Sequence, residues 1–432
     1  MTTNTKRVRR GKTIRGRLRL VATVEQLGPG LVTGAADDDP SGIVTYSQAG
    51  AQFGNGLLST LVLTYPLMVA VQLVSAQIGR VTGKGLARNM DEVFHPLVVT
   101  SLVFLLFIAN TINVGADLAA MGSVGALSVH LDRHLLTVVF ALLSLILQIS
   151  IPYRRYANIL KWLTLVLFSY VGVLFFVHVN WLSVARNLVW PQLDWGNATT
   201  TVVAVFGTTI SPYMFFWQSA QEVEEIEAAP EKKPLKAAPR QAASAFARIR
   251  LDTFSGMAMS NIVGIIIMIC TAATLNKHGV TNIQTATDAA KALEPLAGHL
   301  AFALFSLGIV GTGLLAVPVL AGSAAYAVGE SRGWECGLDN KPWEAVGFYS
   351  VIGAATIIGV GIDYSGLDPM RALFWSAVIN GFVAVPLMVG LMLVASRRRQ
   401  MGKFTITRPL AILGWAAAAV MAAAAIAMVA VH

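Results

Sequence analysis

The sequence predicts an all-α membrane protein of about eleven transmembrane helices, arranged as two inverted repeats, spans 1–5 and 6–10, with helices 1 and 6 broken. Three observations carry this reading. The chain is 55% hydrophobic and only 13% charged over 432 residues, with a mean hydropathy of +0.64, far outside the range of soluble proteins. Eleven apolar runs approach or exceed the roughly 20 helical residues that cross a hydrocarbon core. Two of them, five spans apart, are interrupted at their middles by Ala36-Asp37-Asp38-Asp39-Pro40-Ser41-Gly42 and Gly207-Thr208-Thr209-Ile210-Ser211-Pro212-Tyr213.

Span one, 26–53, follows a basic tail, 1–25, that contains Lys6-Arg7-Val8-Arg9-Arg10 and Arg15 to Arg19. Its length and the lack of a small-residue cleavage pattern argue against a removable signal peptide. The expected organisation is therefore a cytoplasmic tail, 1–25, and a single transmembrane transporter domain, 26–432. Span two, 57–79, carries Gln72 and Gln77 and leads into Thr82-Gly83-Lys84-Gly85, which reads as a turn. In span three, 97–123, Asn110, Asn113 and Asp117 fall at i, i+3 and i+7, on one helix face. Spans four, 134–151, and five, 158–178, are plainly apolar. Span six, 200–226, ends in Glu222, Glu224 and Glu225, which read as a solvated helix end that could draw cations along an inner exit path. The stretch Glu222 to Arg250, with Pro230, Pro234 and Pro239, is a connection between spans rather than a domain linker. Span seven, 251–275, is followed by span eight, 296–328, where Gly308-Ile309-Val310-Gly311-Thr312-Gly313 permits close helix approach. Span nine, 344–362, and span ten, 370–395, with Asn380, complete the second repeat. Span eleven, 410–431, lies outside the repeats, and Ala416 to Ala425 makes it a closely packed terminal helix.

Of the 32 Lys and Arg residues, 27 lie in the tail and in the loops 80–88, 154–161, 232–250, 332–341 and 397–408, all on one side of the membrane. The positive-inside rule then puts the N-terminus in the cytoplasm and the C-terminus outside a bacterial-type inner membrane. These short basic loops account for the net charge of +9 through topology and anionic lipid, so membrane lipid is an expected partner and nucleic acid is not. Cys270 and Cys336 have no disulfide or metal spacing, and no histidine has ligand spacing. The sequence assigns no cofactor and no oligomeric state.

Broken helices survive in lipid only where protein or a water-filled cavity satisfies their freed backbone groups, and in inverted-repeat transporters they form the substrate site near the midplane. Asp37, Asp38 and Asp39 are adjacent carboxylates that repel one another unless a cation, protons or water intervene. Pro40 lacks an amide hydrogen and frees carbonyls near positions 36 to 39. Asp39 is the leading candidate for a metal-binding carboxylate, with the carbonyls of Ala36 and Thr208 as neutral ligands. Asp37, Asp38 and Ser211 follow, each with a structural alternative in a vestibule, a helix cap or a local hydrogen bond. Gly42, Tyr213, Asn380 and Asp117 are supporting candidates, and Asp117 reads equally as a proton acceptor, a partner of the site or interhelical glue.

Gly28-Pro29-Gly30 leading to Asp39-Pro40, and Gln77-Ile78-Gly79-Arg80-Val81-Thr82-Gly83-Lys84-Gly85-Leu86-Ala87, resemble the span-one and span-two motifs of the NRAMP family of divalent-metal transporters. The resemblance implies the LeuT-type inverted-repeat fold and a metal ion as substrate. Where the family has Gly-Asn after Asp-Pro, this chain has Ser41-Gly42, and where span six has Met-Pro-His it has Ser211-Pro212-Tyr213. The family's span-six histidine is absent, span three matches only loosely through Asn110, Asn113 and Asp117, and span nine has no Arg. Exchanging a thioether for a hydroxyl hardens the site. These changes resemble the divergent branch of NRAMP-related magnesium transporters, and the small residues Gly42 and Ser211 are expected to leave room for a partly hydrated Mg²⁺.

The reading is an importer of multivalent metal cations, Mg²⁺ and also Mn²⁺, working by alternating access without strict proton coupling. A proton-coupled Mn²⁺/Fe²⁺ transporter, a trivalent metal transporter, and an organic-solute carrier or sensor on the same fold are the alternatives. An intramembrane protease would need facing carboxylates or a Ser/His dyad, for which the spans carry no signature.

Overall fold

The computed structural model describes residues 34, 36–151, 165–190 and 195–431, and among them no strand occurs. Helices of six residues or more are α1 Pro40–Phe53, α2 Leu58–Thr82, α3 Leu86–Asp91, α4 Pro96–Val129, α5 Arg133–Ser150, α6 Trp181–Val189, α7 Trp195–Thr209, α8 Pro212–Glu227, α9 Ala242–Thr274, α10 Ala301–Arg332, α11 Val346–Asp363, α12 Pro369–Ser396 and α13 Arg408–Val431. Nine described stretches are long and apolar enough to cross a bilayer, and they coincide with spans two to four and six to eleven. The chain is a multi-pass membrane protein. Spans one and five run partly outside the described residues. So do the tail 1–25, Gly28-Pro29-Gly30 and the basic segment 154–161.

Helices equivalent in the two repeats pack on each other: α4 lies along α10, and α2 along α9. An axis in the membrane plane between inverted repeats produces this arrangement. Within it, α1 is enclosed by α9, α7 and α12, while α8 packs on α2 and α10. Small residues set these distances. A Cβ on Gly79 would lie 2.2 Å from the Ser219 carbonyl oxygen, and one on Gly313 would lie 2.5 Å from Met121 Sδ and 3.3 Å from Pro40 Cγ. Gly83, at φ +66°, ends α2, and the Ser219 hydroxyl then accepts the Leu86 amide at 2.8 Å. The Gln77 to Ala87 stretch thus clamps α2 to α8.

Two peripheral elements expose apolar side chains among the described residues. The helix α6 is amphipathic and exposes Trp181 and Leu182, with Val189 and Trp190 at its end, the form of an interfacial helix. The terminal α13 buries Gly414, Ala417, Ala418, Met421 and Ala425 but exposes Ile412, Trp415, Ile426 and Val429. Its alanine-rich stretch is therefore close-packed on one face only.

The carboxylates ending span six are not solvated as expected. Glu222 is fully buried and accepts from Arg248 Nη2 at 2.5 Å. Glu224 accepts from the Tyr326 hydroxyl and from the Leu338 amide at 3.0 Å, and Glu225 pairs with Lys232. Arg248 of α9 thus reaches the end of α8, and the loop joining the two helices is tied to the end of α2, where its Leu235 and Lys236 amides donate to the Arg80 and Val81 carbonyls at 3.2 Å. Glu222→Ala removes the nearer partner of the part-buried Arg248 guanidinium and leaves it Asp252 at 4.0 Å, so the cost stays below about 3 to 5 kcal/mol, that of a fully orphaned buried charge. A clear drop in the thermal midpoint of the purified protein is expected; an unchanged midpoint would show that the pair does not hold α8 to α9. Of the cations outside the positive-inside pattern, Arg133 lies 3.9 Å from Asp363 and Lys291 lies 2.9 Å from Asp288.

Candidate metal-binding site at the helix breaks

Both breaks are made by an X-Pro step. Proline disfavours the helical conformation at the preceding residue, and Asp39 (φ −70°, ψ 168°) and Ser211 (φ −70°, ψ 129°) are extended, each followed by a new helix with proline in its first turn, whereas Pro66, Pro318 and Pro386 lie inside continuous helices. The positive ends of α1 and α8 and the carbonyl end of α7 therefore come to the middle of the bundle. Asp39 caps α1: its Oδ1 accepts from the Gly42 amide and the Ser41 hydroxyl, both at 2.7 Å. Ser211 makes no cap; its hydroxyl turns back toward the Gly207 and Thr208 carbonyls at 3.0 and 2.8 Å.

The two breaks touch. The Tyr213 hydroxyl donates to the Ala36 carbonyl at 3.2 Å, and the Tyr46 hydroxyl and Thr209 Oγ1 are 3.2 Å apart. A Cβ on Gly42 would lie 3.1 Å from Thr208 Oγ1, 3.3 Å from Asp39 Oδ1 and 3.5 Å from the Asp37 carbonyl oxygen. Gly42 thus permits close approach of the two segments, rather than the open space expected of it. Behind Thr208, a Cβ on Gly207 would lie 2.0 Å from the Ala377 carbonyl oxygen and 2.5 Å from the Gly381 amide nitrogen, so Asn380 belongs to the turn of α12 that backs this break.

Asp37 and Asp38 diverge from Asp39. Ser260 of α9 meets Asp37 Oδ2 at 2.6 Å and Asp38 Oδ1 at 3.0 Å, although its single hydroxyl proton can serve only one fully. Among the described residues no three His, Cys, Asp or Glu side chains gather as a metal cage. The oxygen-rich surface is instead made mainly of carbonyls and hydroxyls, with one carboxylate from Asp39. Asp117 is fully buried on α4, within electrostatic reach of Asp39 and Tyr213. Asn110 proves to be interhelical glue, donating to the Leu320 carbonyl at 2.9 Å and Ser323 Oγ at 2.7 Å.

Several buried polar atoms here have no hydrogen-bond partner among the described residues: Asp37 Oδ1, Thr208 Oγ1, both carboxylate oxygens of Asp117, and the side-chain amides of Asn113 and Asn380. Buried polar atoms in this condition are uncommon, and each calls for an ion, a proton or water. Carboxylate, hydroxyl and carbonyl oxygens fit a hard cation. Ser260 and Tyr46 were not among the sequence candidates. The adjacent polar pair Ser260-Asn261 in an apolar span was a usable signal for the first; Tyr46 offered none.

On the side where α8 and α10 end, a hollow of about 250 Å³ is lined by Lys84, Arg88, Glu224, Glu227, Glu335 and Cys336 among others. Burial, reinforced by nearby carboxylates, pushes the Cys336 thiol up to about 12, so it stays protonated and is no soft ligand at neutral pH.

Comparison with known proteins agrees with this geometry. A family model described as Natural resistance-associated macrophage protein-like matches residues 30–431. A protein of Klebsiella pneumoniae (strain 342) named Divalent metal cation transporter MntH is 28% identical over 412 residues, covering 91% of each chain. The crystal structure of the Eremococcus coleocola manganese transporter, in complex with an aromatic bis-isothiourea substituted compound, superposes with a TM-score of 0.74 at 17% identity over 93% of this chain and 85% of that one. Mhp1, a nucleobase-cation-symport-1 family transporter in a closed conformation with bromovinylhydantoin bound, superposes with a TM-score of 0.56 at 13% identity over 94% and 92%. At these identities the two structures speak for the fold, the LeuT-type inverted repeat. With the family match spanning nearly its whole length, the chain belongs to the Nramp family.

Proposed function

We propose that this protein imports divalent metal cations across a bacterial inner membrane by alternating access, with its N-terminus in the cytoplasm and its C-terminus outside. The carrying observation is the meeting of two half-helix breaks around uncommitted buried oxygens. Asp39 supplies the principal carboxylate, and the carbonyls of Ala36 and Thr208 supply neutral oxygens. The hydroxyls of Thr208, Ser211 and Tyr213 complete a hard surface suited to Mg²⁺ and also to Mn²⁺. Asp37 and Asp38, held toward α9 by Ser260, add negative charge beside that surface. Asp117 and Asn380 flank it. The names of the relatives, a divalent metal cation transporter and a manganese transporter, support metal transport and keep Mn²⁺ as the second reading.

Uptake needs no coupled proton: a doubly charged ion gains about 4.6 kcal/mol per 100 mV of membrane potential, twice the single-charge value. Proteoliposomes held negative inside test this with Mg²⁺, Mn²⁺ and Fe³⁺ outside and a pH dye within. Mg²⁺ and Mn²⁺ flux without internal acidification is expected. Mn²⁺ flux alone, with acidification, would return the protein to proton-coupled transport, and absence of any divalent flux would overturn the proposal.

A further inference from the structure

A second site lies at the lipid boundary. A groove of about 510 Å³ runs between the start of α4, the end of α10 and the start of α11. Its walls are apolar: Phe104 and Phe107 of α4, Val328 of α10, and Val351 and Ala354 of α11. Its mouth is polar, with Ser331 and Arg332 closing α10 and Ser350 on α11. From Thr100 at the mouth to Phe107 at the far end is seven residues of helix, about 10 Å at 1.5 Å per residue, so the groove descends from the interface into the hydrocarbon.

Among the described residues that line it, Arg332 alone carries charge. Arg332 is exposed, and among the described residues it has no ion pair or hydrogen bond from its side chain. Trp334 stands beside it, fixed by close packing on α11: a Cβ on Gly347 would lie 2.5 Å from the indole. An indole at this level marks the headgroup depth. It also stands between the groove and the acidic hollow lined by Glu224, Glu227 and Glu335, since Trp334 lines both.

An unpaired guanidinium above an apolar trough is complementary to one kind of molecule at that depth, a phosphate carrying acyl chains. Guanidinium binds phosphate oxygens bidentately, and basic pockets between transmembrane helices on the cytoplasmic side bind lipid headgroups. We infer that the groove between α4, α10 and α11 holds one anionic glycerophospholipid of the cytoplasmic leaflet, its phosphate on Arg332 and an acyl chain along Phe104, Phe107 and Val351. The choice of leaflet rests on the orientation proposed above. Lipid binding is read without flux, so a failure of the transport reading leaves it intact.

The test is native mass spectrometry of the delipidated protein titrated with phosphatidylglycerol or phosphatidylcholine of identical acyl chains. The parent is expected to retain one phosphatidylglycerol about fivefold more tightly than phosphatidylcholine, the preference that about 1 kcal/mol per basic residue gives. Arg332→Gln should remove the preference, and Ser350→Trp, which fills the groove from the lipid side, should remove retention of both lipids. Arg398→Gln, a basic residue on the same side but outside the groove, should change nothing. Equal retention of the two lipids by the parent, an unchanged preference in Arg332→Gln, or retention undiminished by Ser350→Trp would each overturn the assignment. Unaltered thermal midpoints of the variants separate loss of the site from loss of the fold.

Discussion

Asp39→Asn is expected to abolish divalent metal uptake while leaving the protein folded. In the structure Asp39 has two duties, since its carboxylate caps α1 through the Gly42 amide and stands at the meeting of the two breaks. Asparagine is as good a helix N-cap as aspartate, and its side-chain oxygen accepts the same amide hydrogen. The charge, however, is gone. Loss of a partner that merely orients a ligand costs 10- to 100-fold in metal affinity, so removing the principal carboxylate should cost more than about 100-fold, bringing flux to background. Asp39→Ala removes both duties and should in addition lower stability by about 1 kcal/mol. Flux in proteoliposomes and thermal midpoints in detergent separate the two. Asp39→Asn retaining half of the parental flux would mean that the carboxylate is structural and the metal is held elsewhere.

Much of this arrangement was legible because proline set among polar and small residues marks a break and the bilayer constrains what surrounds it. Pro66, Pro318 and Pro386 lie inside continuous helices, but Asp39-Pro40 and Ser211-Pro212 stand in polar, glycine-containing interruptions, and in lipid a break must be enclosed. The five-span separation then gave the inverted repeat, and Gly313 and Gly79 appear where helices approach closely. What escaped was the direction of side chains. Asp37 and Asp38 are adjacent to Asp39 in sequence, yet they turn to Ser260 on a helix more than 200 residues away. Glu222 looked like a solvated helix end because nothing local marks Arg248 as its cover. Gly42 suggested space, whereas its missing side chain lets Thr208 come near. Each of these depends on which helix lies across the gap, and apolar periodicity does not encode that in a chain that carries large hydrophobic side chains both in its core and on its outer faces. Spans one and five illustrate the remainder: their apolar runs are plain in the sequence, and parts of both lie outside the described residues.

Ser211→Met is expected to turn a hard site into a softer one and so to exchange the preferred ion. The Ser211 hydroxyl lies 2.8 Å from the Thr208 carbonyl oxygen, at the seam where that carbonyl and the Ala36 carbonyl face the break. A thioether there offers polarizable sulfur, which favours transition metals and gives Mg²⁺ nothing in return for the water it must shed. Mg²⁺ flux should fall by about tenfold or more relative to Mn²⁺, and Cd²⁺, a softer ion, should gain most; a tenfold change corresponds to about 1.4 kcal/mol. Methionine is larger than serine and position 211 is buried, so overpacking of about 1 to 3 kcal/mol is expected. Its flexible side chain relieves part of that. The comparison must therefore be the ratio of ions carried by one variant, which cancels any loss of folded protein, rather than absolute flux. Ser211→Ala supplies the control, because it removes the hydroxyl without adding sulfur: it should weaken all ions together and leave their order unchanged. An Mg²⁺-to-Mn²⁺ ratio that does not move in Ser211→Met would place residue 211 outside the coordinating surface, and selectivity would then have to reside in the carbonyl geometry of Ala36 and Thr208.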